Sequence, residues 1–416
     1  MEPAQPLVTN DAVALGLLAL ILGLVFYTER SPHPAWQAFY RYVPGLLLCY
    51  FLPSLLNSFG IVDGHASKLY FVSSRYLLPA CLVLLTLSVD FAAIAKLGYK
   101  AIAMFLTGTV GIVVGGPLAI LLVGAVAPDI VGGQGSSAVW RGMTTVAGSW
   151  IGGGANQTAM KEVFQVDDAL FSQMVAVDVL CASVWMAILL FMAGRAADLD
   201  RRMGADTSAI ENLKLRVSRF HAEHGRITTL PDLIFISAIG FGFTGLAHAG
   251  AGIIAPWIDS HAPGLARLSL TSPFFWIVVI ATTAGLVLSF TRARRLEGAG
   301  ASRVGSAMLY ILVASIGMRM DVGAVFDSPG LFAVGFVWIG IHAALLILVA
   351  RLIKAPIFYL AVGSQANVGG AASAPVVASA FHPTLAPVGV LLAVLGYALG
   401  TYAAWVCGVM MAAVAP

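Results

Sequence analysis

The stretch Gly363 to Pro375 reads GSQANVGGAASAP and lies between two strongly apolar segments near the C-terminus. Glycine in a helix interior costs about 1 kcal/mol relative to alanine, so a run with Gly369 and Gly370 at its centre is a poor helix interior. A second run of the same kind, Gly148 to Ala159, reads GSWIGGGANQTA. At one constant offset, Gly148 matches Gly363, Ser149 matches Ser364 and Gly154 matches Gly369, and Thr158 and Ala159 match Ser373 and Ala374. These two stretches are expected to form the working centre, with the other apolar segments holding them.

The rest of the chain is built for lipid. Of its 416 residues 59% are hydrophobic and 10% charged, and the mean hydropathy is +0.90. Soluble domains carry about 25% charged residues. Runs of roughly 17 to 25 apolar residues, the length a membrane helix needs, recur from end to end. The first of them, Ala12 to Tyr27, lacks the basic flank and small-residue cleavage site of a signal peptide, so it is expected to be retained as a span. A formal charge of +3 gives no nucleic-acid footprint. Cys49, Cys81, Cys181 and Cys407 lie inside apolar segments without paired spacing, which predicts packing roles and no disulfide framework.

Four spans, a glycine-rich segment and a fifth span occur twice. The first set is Ala12 to Tyr27, Val43 to Val62, Tyr76 to Ala93, Ala101 to Ala127, the glycine-rich region Trp140 to Phe164, and Phe171 to Gly194. The second is Pro231 to Ile254, Ser272 to Phe290, Val304 to Met318, Leu331 to Ala350, the region Pro356 to Phe381, and Leu385 to Val414. Residues 1–194 and 231–416 are thus read as two repeats, joined by a hydrophilic cytoplasmic linker over 195–230. If each glycine-rich region enters and leaves on one side as a hairpin, a chain starting outside puts 17 of its 23 Lys and Arg residues on cytoplasmic loops. Lys68, Arg75, Arg141, Lys161, Arg267 and Arg319 remain outside. Full crossings with the N-terminus inside score nearly as well, 16 against 7. Five spans per half force the halves into opposite orientations, the inverted repeat common in secondary transporters, and this tips the reading to hairpins with both termini outside. The hairpin tips then meet near the midplane. Irregular backbone is tolerated there only against protein or a watery cavity.

At those tips Ser149, Asn156, Gln157, Thr158, Gln365, Asn367 and Ser373 supply polar groups without net charge, and broken helices present free N–H and C=O groups to ions. Close helix packing would need only Gly and Ala, so amides at both tips favour a substrate site formed with Gly153, Gly154, Gly369 and Gly370. Asp178, in QMVAVDVLCASVW, lies deep in a span with no basic residue nearby in sequence. Burying it costs at least about 2.5 to 3.5 kcal/mol, which makes it the candidate for ion coupling, with Asn156 and Asn367 beside it and sodium as the one metal envisaged. Its structural alternative is hydrogen bonding to a neighbouring helix. His342, in WIGIHAALL, is placed with equal weight as a proton carrier or a packing residue. Asp90 and Asp321 are read as helix caps, and Lys161 with Glu162 as a solvated rim pair. No nucleotide loop, HExxH pair or nucleophile elbow occurs, so ATP-driven transport by this chain alone is not expected.

The motifs GGGANQTAM with the following AVDVL, and SQANVGGAASAP with GVLLAVLGYALGTY, resemble a bacterial and plant membrane family catalogued as domain of unknown function 819. The resemblance covers nearly the whole chain. That family looks related in fold to the sodium/glutamate and 2-hydroxycarboxylate symporters, within the cation:proton antiporter and anion transporter group. The resemblance implies an all-α protein of two five-helix inverted repeats and a homodimer in the bacterial inner membrane. It also implies a site of Gly153, Gly154, Asn156, Gln157 and Asp178 from one half and Gln365, Asn367, Gly369, Gly370 and Ser373 from the other. In the antiporter branch the unwound segments cross the membrane, so hairpin and crossover both stay open. The expectation is a secondary transporter of a small organic anion, coupled to sodium or protons and without another cofactor. A cation:proton antiporter using Asp178 is the alternative, and an intramembrane enzyme using Asp90, His342 or Asp178 ranks third.

Overall fold

A computed structural model of the chain describes residues 6–40, 43, 45–64, 66–205, 228–268, 270–319, 328–382 and 385–416. Asp321 and the linker residues 206–227 lie outside the described residues. Within them the chain is helical, with one isolated bridge between Val8 and Val62. The main helices are α1 (Asp11–Glu29), α2 (Gly45–Ser58), α3 (Leu69–Leu87), α4 (Tyr99–Gly124), α5 (Val139–Val163), α6 (Asp168–Ala193) and α7 (Ala196–Met203). After the linker come α8 (Leu230–His261), α9 (Pro273–Ser289), α10 (Ala301–Gly317), α11 (Gly330–Leu352), α12 (Ile357–Val368), α13 (Gly370–Phe381) and α14 (Ala386–Val414).

Their starts are written in the sequence. Asn10 accepts the N–H of Ala12 at 2.8 Å to open α1, and Asp167 accepts that of Leu170 at 2.8 Å to open α6. Thr229 and Asp232 bond each other's backbone in a capping box at the head of α8. Just past the first half Asp200 on α7, itself buried, accepts the N–H of Ile357 at 2.7 Å and so caps α12 from the linker.

Among the described residues, seven helices are long and apolar enough to cross a membrane, or eight if Pro273–Ser289 and the bent turn Arg292–Ala299 count as one. Sequence counting gives ten. The expected span Val43 to Val62 is the 14-residue α2, and α10 has 17 residues. At 1.5 Å per residue these rise about 21 and 26 Å, short of a hydrocarbon layer of about 30 Å. They lie against each other, with Gly317 so close to Tyr50 that a Cβ there would sit 2.3 Å from the Tyr50 carbonyl oxygen.

The helices sort into two bundles that each draw on both halves of the chain. α1, α2 and α3 pack with α8, α9 and α10; α4, α5 and α6 pack with α11, α12, α13 and α14. We call these the frame and the core. α14 makes the central contact between them, lying against α5 on one side and α3 and α9 on the other.

Both glycine-rich regions double back. α5 breaks at Gly153, whose φ of 72° and ψ of −173° suit glycine alone. Were α5 straight, Arg141 and Phe164 would stand about 35 Å apart. Instead an Arg141 guanidinium N–H donates to the Phe164 carbonyl at 2.5 Å, and the Trp140 and Phe164 rings are 5.8 Å apart. The second region behaves alike. α12 ends at Gly369, Gly370 has a φ of 59°, and α13 returns until the Phe381 ring is 5.3 Å from Phe358.

Candidate functional site

Asp178 on α6 is caught between the two arms of the doubled-back α5. Ser149 Oγ donates to its Oδ2 at 2.6 Å and Trp150 Nε1 to its Oδ1 at 2.7 Å, both from the arm before Gly153. Gln157 Nε2 donates to Oδ2 at 3.0 Å from the arm after it. The Gln157 amide is set in this sense because its own oxygen accepts from Tyr50 Oη at 3.3 Å. Asp178 is 7% exposed as a residue, and no Lys, Arg or His pairs with it among the described residues. Only neutral donors hold it. The sharp turn at Gly153 makes this possible: Gly148 lies so close to the Asn156–Gln157 peptide that a Cβ would sit 2.6 Å from the Asn156 oxygen.

The second hairpin builds a ring of a different kind. Ser364, the sequence mate of Ser149, bonds His342 Nε2 at 2.8 Å and accepts from Trp185 Nε1 at 2.7 Å. His342 Nδ1 meets the Gly108 carbonyl at 3.0 Å, so both ring nitrogens are engaged inside the core. Each hairpin serine thus reaches a buried titratable side chain of a neighbouring long helix, an aspartate in one case and a histidine in the other. Asp178 and His342 do not meet, and Asp90 pairs with Arg294 at 2.8 Å outside either ring.

The remaining candidates separate by whether their polar atoms are spent. Asn156 donates to the Gly152 carbonyl at 2.9 Å and accepts from Thr401 Oγ1 at 2.6 Å, so it ties α5 to α14. Asn367 donates to the Phe105 and Gly363 carbonyls, both at 2.9 Å, and accepts from Thr109 Oγ1 at 2.8 Å, so it ties α12 to α4. Thr158 turns back to the Gly154 carbonyl at 3.0 Å. Gln365 differs. Its Nε2 donates to Ser373 Oγ at 2.7 Å across the break at Gly369 and Gly370, while its Oε1, on a residue 1% exposed, has no hydrogen-bond partner. Gly154 sits beside Leu309 of the frame, 3.9 Å from where a Cβ would lie. Both tips lean on α14: a Cβ at Gly396 would be 2.5 Å from the Ile151 oxygen and 3.5 Å from that of Ala366.

The reading of Lys161 and Glu162 as a solvated rim pair is corrected. Lys161 is 4% exposed and bonds Asp168 at 2.7 Å, while Glu162 pairs with Arg75 at 3.2 Å. Sequence adjacency suggested a pair where each has its own distant partner. Trp150, Ser364, Trp185, Tyr50 and Thr401 were not singled out by sequence. Ser364 was within reach, since it aligns with Ser149.

The sequence was compared with known families and proteins. The family described as "Protein of unknown function (DUF819)" matches residues 16–414. A relative from Bacillus subtilis (strain 168), described as "Uncharacterized membrane protein YjcL", is 24% identical over 349 residues, covering 81% of this chain and 82% of that protein.

Proposed function

The chain belongs to the DUF819 family of proteins, and from that premise we propose that it is a secondary active transporter of a small organic anion, coupled to sodium or protons through Asp178. One observation carries the reading. A carboxylate buried in an apolar bundle is held by Ser149, Trp150 and Gln157 and by no cation among the described residues. Such a group costs at least about 2.5 to 3.5 kcal/mol to place in a membrane, and packing alone gives no return for that cost. Because its three donors come from both arms of α5, binding a proton or sodium ion there would act directly on the hairpin geometry. The free Oε1 of Gln365 gives the second hairpin an acceptor for a cation or a substrate N–H. The N–H groups that open the arms at Gly154 and Gly370 suit an anionic group.

In this reading the halves 1–194 and 231–416 form inverted repeats of five spans. The short α2 and α10 cross with help from their neighbours, the termini lie outside, and the protein sits as a homodimer in the inner membrane. Cation:proton exchange is the second reading, favoured by the same observation, since an unpaired carboxylate needs no organic solute to load an ion.

Purified protein in proteoliposomes tests both. Organic-anion uptake that follows an imposed sodium or proton gradient, and loses its gradient dependence in Asp178→Asn, supports symport. Gradient-driven uptake undiminished in that variant removes Asp178 from the mechanism. Proton flux driven by sodium or potassium without an organic solute selects exchange instead.

A further inference from the structure

We propose that the ion pairs at the open end of the first hairpin are a gate, holding frame and core together at that face and parting when the transporter opens there. This rests on the transporter reading above. Six residues make it. Tyr70 and Arg75 come from α3, and Arg319 follows α10, so these three belong to the frame. Lys161 and Glu162 end α5 and Asp168 begins α6, so these belong to the core.

The polar contacts among these six run largely across the seam. Arg75 pairs with Glu162 at 3.2 Å and Arg319 with Asp168 at 2.7 Å. Tyr70 Oη donates to Glu162 and accepts from Lys161 Nζ at 3.0 Å. Within the core, Lys161 also holds Asp168, at 2.7 Å. The Tyr70 ring adds a contact across the seam, 4.6 Å from its centre to Lys161 Nζ, and one within the frame, 4.5 Å to the Arg319 guanidinium. All six residues line an open cavity of about 900 Å³.

Three features make this a gate and not a permanent weld. The contacts are ionic and face an open cavity, so water can take over each partner as the bundles separate. Asp168 accepts from Lys161 of the core and Arg319 of the frame together, so releasing Arg319 leaves it paired. Lys161 likewise keeps Asp168 when it loses Tyr70. The third is position: Lys161 lies one helical turn beyond Gln157 on the same arm of α5, and Asp168 lies ten residues, about 15 Å, along α6 from Asp178. A change at Asp178 that shifts the α5 arm reaches the gate through a single helix.

Hydrogen–deuterium exchange of the full chain in nanodiscs reads opening without any transport assay, through the segments 69–77 and 156–170. Arg75→Gln and Arg319→Gln should each raise exchange in both segments roughly fivefold or more, the factor that about 1 kcal/mol gives, and leave α11 unchanged. Tyr70→Phe, which removes only a hydroxyl, should do the same to a smaller extent and serves if a charge variant unfolds. Wild-type exchange at both segments in Arg75→Gln and in Tyr70→Phe overturns the gate. So does a rise in the 69–77 segment alone, because a gate frees both faces. A failure of the transporter reading would show separately, as absent uptake by wild-type protein whose exchange still responds to these substitutions.

Discussion

Gly153→Ala isolates the cost of the turn on which the site is built. The backbone there has φ 72° and ψ −173°, a region essentially reserved for glycine, and forcing another residue into it costs about 1 to 3 kcal/mol. Space is not the obstacle: the nearest atom to an added Cβ is Tyr397 Cε1 at 3.5 Å, an ordinary contact. The penalty is therefore purely conformational. Gly154→Ala is the matched control, with only Leu309 Cδ2 at 3.9 Å and no positive φ, and alanine there should be neutral or stabilising by up to about 1 kcal/mol. The two neighbouring substitutions should differ by about 2 kcal/mol or more in reversible unfolding in mixed micelles, near a thirtyfold change in the folding equilibrium. If Gly153→Ala unfolds at the same denaturant fraction as Gly154→Ala, the left-handed turn is not what folds α5 back on itself.

Two further outcomes follow from the packing and the caps. In Gly400→Ala the new Cβ would lie 2.6 Å from Gly152 Cα and 2.7 Å from Asn156 Nδ2, so α14 and α5 must part at a cost of about 1 to 3 kcal/mol. Gly252→Ala, which meets nothing within 4 Å, is its control, and equal melting temperatures for the two would refute the close approach. Burial raises the Asp200 carboxyl above its ordinary range, with the Ile357 N–H pulling it partly back. The folded chain therefore holds this proton at a pH where the unfolded chain has released it, and stability from this group falls as pH rises above the ordinary carboxylate range. Asp200→Asn keeps an acceptor for Ile357 without ionising, so its melting temperature relative to wild type should climb from about pH 4 to about pH 7. A constant difference would count against the burial.

What the sequence made legible was local. Two runs of small and amide residues marked both breaks, and their offset paired Ser149 with Ser364 before any helix was placed. What those serines hold could not be read, because Asp178 and His342 arrive from α6 and α11 by packing. Trp150 stood inside the first run yet passed as one more apolar residue, and its indole N–H became visible only beside Asp178. Asn156 and Asn367 looked like ligands because amides are rare in membrane helices; Thr401 and Thr109, the hydroxyls that occupy them, sit in ordinary apolar stretches. Charge counting placed Arg75, Lys161 and Arg319 on one face, but their convergence needs α3, α5 and the end of α10 side by side. Hydropathy marked α2 and α10 by their apolar composition, but it carries no record of where a helix stops and so gave no sign that both are short.

α14 carries two unlike faces. Toward α5 it shows Gly396, set against the Ile151 carbonyl, and Gly400, set against Gly152 Cα and the Asn156 amide, so α14 brings no side chain of its own to those two contacts. Toward α9 the hydroxyl of Thr401, while it donates to Asn156 of α5 at 2.6 Å, also lies 3.1 Å from that of Thr282, and the Thr283 hydroxyl meets that of Tyr402 at 2.7 Å. A glycine contact resists displacement because nothing can rotate to follow it, whereas a hydroxyl can trade one oxygen for the next along a helix. The same helix is thus riveted to the first hairpin and only pinned by hydroxyls to α9, so in a transport cycle of the kind proposed above the hairpins would travel with α14.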